Sequence, residues 1–328
     1  MRRIRGKAIS LLVIFALLVP FIPPPPPAHA AAPPPPPLAT EHTPPARNLT
    51  GADRIETAVR ISQDAWTSSV YVVVATSTDF PDALAGAPLA HALGSPLLLT
   101  PPASLAPAVA AEISRLGATR AVVLGGTGAL SPAVVDGLVA AGISRQRIER
   151  VAGANRYETA RDIAARLQAA AGPAAGVIVA SGRTYPDALA VAGYAARSNR
   201  PILLTEPDVL PPATKQALAS VESTDTLIVG GTGAVSEAVA TQLPEPQRIG
   251  GADRYETAAL IAEHAFSTGA LSYNELLVAT GEAFPDALAA GPYAAKRSAT
   301  LILTRSQSLP LATDDFVRAH SSSAARIT

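Results

Sequence analysis

Gly51-Ala52-Asp53-Arg54-Ile55-Glu56-Thr57-Ala58 returns as Gly153-Ala154-Asn155-Arg156-Tyr157-Glu158-Thr159-Ala160 and again as Gly251-Ala252-Asp253-Arg254-Tyr255-Glu256-Thr257-Ala258, at spacings of 102 and 98 residues. Three further motifs follow it in the same order. Phe80-Pro81-Asp82-Ala83-Leu84-Ala85 recurs at 185–190 and 284–289. Pro96-Leu97-Leu98-Leu99-Thr100 recurs at 201–205, and at 300–304 with Thr300 beside the leucines where proline stood. Gly125-Gly126-Thr127-Gly128-Ala129-Leu130-Ser131 recurs at 230–236 and has no third copy. Ordered self-similarity at a fixed period means one structural unit used three times.

Within a unit the reading is helix, strand, helix, strand, helix, strand, helix. Ile55, Ala58, Val59, Ser62, Ala65 and Trp66 share one face at helical spacing. Residues 70–75, 176–180, 276–279, 97–99 and 121–124 are short, continuously apolar and rich in Val, Ile or Leu. Such runs are strands buried on both faces, as in a parallel sheet covered by helices. The expected fold class is therefore α/β: three tandem Rossmann-like units, each a parallel sheet flanked by helices. The near-equal periods allow the units to pack with pseudo-threefold symmetry. The third unit stops where the strand before its Gly-Gly loop should form, so it is expected to be incomplete and less stable than the others.

The first thirty residues read as a signal peptide. Arg2, Arg3, Arg5 and Lys7 precede an apolar run over 9–22, and Ala28-His29-Ala30 supplies small residues for cleavage. The run is short for a membrane span and Pro20 interrupts it. Residues 31–47 read as a proline-rich linker with polyproline II character. The repeats then occupy 48–149, 150–248 and 249–328.

Composition narrows the function. The chain has no cysteine, which removes disulfides, zinc–thiolate sites and thiol nucleophiles. Its formal net charge is zero, and the first thirty residues hold four basic and no acidic groups, leaving the remainder at −4. A mildly acidic body lacks the basic field a nucleic-acid binder needs. Hydrophobic residues make up 48% but aromatic ones only 4%, so small aliphatic side chains carry the packing.

Each motif has a structural and a ligand reading. Asp53 with Glu56, Asn155 with Glu158, and Asp253 with Glu256 have capping-box spacing. Arg54, Arg156 and Arg254 place a cation in a first helical turn, against the helix dipole. They either pair with a carboxylate or reach an outside anion. Pro81, Pro186 and Pro285 suit the first helical position, and Asp82, Asp187 and Asp286 favour the dipole there. The same place, a strand's carboxyl end before a helix, is where open α/β sheets bind ligands, and Thr78-Asp79 or Arg183-Thr184 add polar groups. The Gly-Gly-Thr-Gly loop, with Thr127 and Thr232, is a tight turn or an anion-friendly loop, with Ser131 or Ser236 as N-cap of the next helix. It carries neither a Walker lysine nor the dinucleotide glycine spacing. The histidines (His29, His42, His91, His264, His320) occupy no equivalent places, and neither a nucleophile elbow nor a zinc-protease motif is present. No cofactor or metal is expected.

Together the four motifs resemble the cell wall-binding repeat 2 family of Gram-positive surface proteins, over about residues 47–328. Asn155 for Asp and Thr300 for Pro are departures from the pattern. The resemblance implies a secreted, non-enzymatic surface protein with S-layer-like anchoring, whose three modules hold non-covalently to an anionic secondary wall polymer of teichoic or polysaccharide type. Arg54, Arg156, Arg254, Asp82, Asp187, Asp286, Thr127 and Thr232 are the candidate polymer contacts. Repetition without a catalytic cluster favours multivalent binding. The competing expectation is a secreted, amidase-like wall hydrolase using Asp and Glu of one unit as acid and base.

Overall fold

The computed structural model describes residues 44–328, apart from 175, 284 and the side chains of 285 and 286. The signal peptide and the linker up to residue 43 lie outside the described residues. The first repeat runs α1 (Arg54–Ala65), β1 (Tyr71–Thr76), α2 (Pro81–Leu84), α3 (Gly86–Ala92), β2 (Leu97–Thr100), α4 (Pro107–Leu116), β3 (Arg120–Leu124), α5 (Pro132–Ala140) and β4 (Ile148–Val151). The second runs α6 (Arg156–Ala171), β5 (Val177–Ser181), α7 (Pro186–Arg197), β6 (Ile202–Thr205), α8 (Pro212–Val221), β7 (Thr226–Val229), α9 (Glu237–Ala240) and β8 (Pro246–Ile249). The third runs α10 (Arg254–Ser267), β9 (Glu275–Thr280), α11 (Pro285–Arg297), β10 (Thr300–Thr304), α12 (Leu311–His320) and β11 (Arg326–Ile327).

Three all-parallel sheets result, ordered β2-β1-β3-β4, β6-β5-β7-β8 and β10-β9-β11. The central strands β1 and β5 are buried almost throughout, as the unbroken Val and Leu runs require, and β9 is buried over its first half. Each complete repeat has a fourth strand that the apolar pattern did not reveal. Ile148-Glu149-Arg150-Val151 and Pro246-Gln247-Arg248-Ile249 are edge strands, half-buried or exposed except at the buried Val151, with polar residues that hide them from a search for apolar runs.

Helices α3, α7 and α11, which follow equivalent strands, pack against one another. The contact is made by small residues at equivalent positions: Ala87, Ala192 and Gly291. A Cβ on Gly291 would lie 2.8 Å from Ala87 Cβ and 2.9 Å from Ala192 Cβ. Three equivalent helices in mutual contact define a pseudo-threefold axis, and the alanine-rich, aromatic-poor composition lets them approach closely.

Outward from the axis, one equivalent position carries Leu89, Tyr194 and Tyr293, and each faces the first helix of the next repeat. Leu89 is fully buried in apolar packing. Tyr194 hydroxyl lies 3.2 Å from His264 Nε2. Tyr293 hydroxyl lies 2.8 Å from Asp64 Oδ2 and 2.9 Å from Glu275 Oε1, with Arg297 also on Glu275 and Arg47 on Asp64. The three joints thus share a backbone geometry but not a chemistry.

The third sheet is closed by the other end of the chain. Ala46 bridges Ile327 in parallel. Arg47 N donates to Ile327 O at 2.8 Å and Ile327 N donates to Pro45 O at 3.1 Å. The pairing has the same register as Ile148 with Ala121 and Pro246 with Thr226. Residues 45–47, at the end of the stretch read as linker, therefore sit where the other repeats have β4 and β8. Arg47→Pro removes that amide and the ion pair to the buried Asp64. It is expected to cost about 2 kcal/mol, read as a lower thermal midpoint and faster amide exchange at Ile327.

The third sheet has three strands. In the first repeat Leu124 packs beside Gly86 and Leu97. Around the equivalent Ala290 and Leu301 there is instead a cavity of about 470 Å³, also lined by Ile61, Leu277 and Tyr293. Leu309 is 51% exposed, whereas its counterpart Leu210 is 3% exposed.

Candidate functional site

At the carboxyl ends of the sheets each repeat meets the helix start of the next, so the motifs combine across the junction. The helix starts come first. Asp53 accepts from Ile55 N and Glu56 N, and Glu56 reaches back to Ala52 N. Asn155 and Glu158 do the same for Tyr157 N, Glu158 N and Ala154 N. Asp253 and Glu256 repeat it for Tyr255 N, Glu256 N and Ala252 N. The motif threonine completes the turn: Thr57, Thr159 and Thr257 hydroxyls accept from Gly51 N, Gly153 N and Gly251 N. These bonds satisfy amides that a helix start otherwise leaves without partners.

The motif arginines turn inward. Arg54 Nη1 donates to Ser77 O at 2.7 Å, Arg156 Nη1 to Gly182 O at 2.5 Å and Arg254 Nη1 to Gly281 O at 2.5 Å. Each ties a helix start to the end of a strand in its own repeat. Arg156 also lies over the ring of Phe80 at 6.0 Å, and Arg254 over Tyr185 at 5.9 Å, both across a junction. Phe80 and Tyr185 meet edge to face at 5.3 Å.

Asp82 and Asp187 sit against the first glycine of the Gly-Gly-Thr-Gly loop. Gly125 and Gly230 have φ of +93° and +102°, and a Cβ on either would collide with the aspartate carboxylate. Only glycine serves both demands. Arg150 Nη1 holds the loop through Gly125 O at 2.7 Å, and Arg248 Nη1 through Gly230 O at 3.1 Å. Sequence reasoning missed these two arginines. The available signal was their recurrence three residues before the glycine of the next helix motif. Thr127 and Thr232 are exposed at the loop tips. Ser131 and Ser236 occupy N-cap positions without capping: Ser131 hydroxyl donates to Ala103 O, and Ser236 Oγ is buried without a partner. The Asp286 side chain lies outside the described residues.

Between the first two repeats these parts enclose a cavity of about 470 Å³, with Thr76, Thr78, Asp79, Asp82, Gly126 and Arg156 in its wall. Burial pushes the Asp82 carboxyl above the usual range, and the nearby Asp79 charge adds to this; the Thr159 hydrogen bond and Arg156 oppose it. Burial likewise raises Asp187 against the pull of Arg254. A carboxyl whose folded pKa is raised contributes stability that is complete below its unfolded pKa and is lost as pH rises through the folded one. Above about pH 4 the thermal midpoint of the native chain is expected to decline, and Asp82→Asn with Asp187→Asn should flatten that decline, measured by calorimetry across pH.

The family model for cell wall binding domain 2 (CWB2) matches residues 48–135, 150–240 and 248–325. N-acetylmuramoyl-L-alanine amidase LytC of Bacillus subtilis (strain 168) is 34% identical over 263 residues, covering 80% of this chain and 51% of that protein. The amidase enhancer of the same organism is 36% identical over 165 residues, covering 49% and 22%. Among solved structures, Cwp6 from Clostridium difficile aligns with a TM-score of 0.78 at 26% identity, over 87% of this chain and 45% of that one. Cwp8 from Clostridium difficile aligns at 0.76 and 25% identity, over 86% and 48%. The chain spans about half the length of LytC and of both solved chains.

Proposed function

This chain belongs to the cell wall binding domain 2 family, and from that premise we propose that it is a secreted, non-catalytic anchor holding to an anionic polymer of the bacterial cell wall. The carrying observation is the repetition of one polar edge: strand ends, aspartate, glycine loop and capped helix start recur together at successive junctions. Similar sites on one compact unit suit a polymer with a repeating unit. A second engaged site acts at an effective concentration near the millimolar range, so weak contacts sum to firm retention. Asp82 and Asp187 belong to that edge, with Arg156 and Arg254 holding its walls and Thr127 and Thr232 at its rim. Arg54 and Asp286 are proposed as contacts at the third junction.

The test is retention on purified walls before and after removal of the anionic polymer. Retention only on intact walls supports the reading; equal failure on both sinks it. The amidase name of LytC favours a second reading, a wall hydrolase. Peptidoglycan zymography separates the two, because an anchor leaves no clearing.

A further inference from the structure

We infer that the cavity between the first and second repeats takes a hydroxyl- and amino-bearing sugar of the wall polymer, not the polymer's anionic group; this rests on the wall-binding reading above. The cavity is rich in acceptors. Asp79 is exposed, and its Oδ1 accepts from Phe80 N at 2.9 Å. Asp82 is close enough to feel its charge. Thr76 and Thr78 hydroxyls lie 3.0 Å apart on the same wall.

Three of the donors that border the cavity are already engaged. Gly153 N is held by Thr159 Oγ1 at 3.1 Å and Ala154 N by Glu158 Oε2 at 3.0 Å. Arg156 gives Nη1 to Gly182 O and packs its guanidinium over Phe80. A phosphate or carboxylate here would face two aspartates against a single arginine that already gives Nη1 to Gly182 O, and like charges at this range repel. An ammonium or a set of sugar hydroxyls would instead donate to Asp79 and Asp82. At about 470 Å³ the space lies within the range of small-ligand sites.

The second junction differs at the same places. Thr184 stands where Asp79 does, and Arg183 stands where Thr78 does and pairs with Glu206 at 2.5 Å. The preference for an amino group is thus a property of the first junction, and Asp79 is the residue that sets it.

The experiment is an NMR titration of the isotope-labelled chain with glucosamine, glucose and inorganic phosphate. Glucosamine is expected to shift the amides of Gly126, Gly128 and Asn155 with about tenfold higher affinity than glucose, and phosphate to leave them unmoved. Asp79→Asn should bring glucosamine to the level of glucose while the thermal midpoint holds, since Asp79 is exposed. Shifts of these amides by phosphate, or equal affinity for glucosamine and glucose, would overturn the inference. Retention on walls without a glucosamine response overturns this inference alone, whereas failure on walls overturns the reading beneath it.

Discussion

Tyr293→Ala is expected to destabilise the chain by about 4 to 5 kcal/mol, the upper part of the range for truncating a buried aromatic residue. Tyr293 is 1% exposed and stands at the joint between the third repeat and the first. Two losses combine. The ring already borders the cavity beside Leu277 and Leu301, so its removal enlarges an existing void instead of leaving one that neighbours can close. Its hydroxyl is also the common partner of Asp64 and Glu275, whose side chains are only 5% and 8% exposed. Buried carboxylates that lose a donor bear a desolvation cost without return. Tyr293→Phe isolates the second loss and should cost about 1 to 3 kcal/mol. Burial and the two carboxylates hold the Tyr293 phenol well above its ordinary range. The stability it contributes is present below the unfolded pKa of about 10 and is lost as pH rises through the folded value; the Phe variant should lack that alkaline loss. Calorimetry gives the result. A change of roughly 10 °C in midpoint is expected for the Ala variant, and a shift of a degree or two would mean that this joint does not hold the ring of repeats together.

The fold was legible because repetition fixes it thrice over. The Val70-to-Ala75 run alone does not distinguish a strand from a buried helix segment. Its counterparts at 176–180 and 276–279, each set between the same two helix-start motifs, leave the α/β layer arrangement. The joints were not legible, for the same reason. Leu89, Tyr194 and Tyr293 are equivalent positions, yet nothing local says that Tyr194 reaches His264 and Tyr293 reaches Asp64, while Arg166, at the place equivalent to these two, turns to Glu149. The bridge at 45–47 was hidden by its proline-rich surroundings and by a partner at the far end of the chain. At the site, capping spacing was visible in Asp53 and Glu56, because those bonds close within four residues. The destination of Arg156 was not, since Gly182 lies 26 residues away and Phe80 belongs to another repeat.

The differences among joints explain how near-identical units find one cyclic order. An exchange of repeats would place His264 or Asp64 against Leu89 and bury a polar group without a partner, at a cost of several kcal/mol. Sequence identity among the repeats is therefore kept where motifs close local turns and relaxed where units must recognise one neighbour and not another. The second joint adds a pH dependence of its own. Burial foremost, and then Arg200, lower the His264 pKa. Its contribution is complete above the unfolded value near 6.5 and declines as pH falls below it.

At the axis itself, Gly291→Val is expected to cost about 3 kcal/mol, the upper range for overpacking a closed core. The Ala87, Ala192 and Gly291 positions are equivalent, and the space between α3, α7 and α11 holds two methyl groups, not three. Contacts of 2.8 and 2.9 Å from a built Cβ are tighter than carbon atoms tolerate, and both neighbours are themselves Cβ atoms fixed to helical backbone. They cannot rotate aside as the tip of a long side chain would. Helix propensity pulls the other way, since Ala and Val are each favoured over Gly within a helix, so any measured loss understates the steric term. A compensating change separates the two effects. Gly291→Ala combined with Ala87→Gly restores two methyls at the axis and should recover most of the stability lost by Gly291→Ala alone. The coupling in that double-mutant cycle is expected to be about 1 kcal/mol or more. Additive effects would mean that the three helices have room to part, and that the alanine-rich sequence of α3, α7 and α11 serves something other than close approach at the axis.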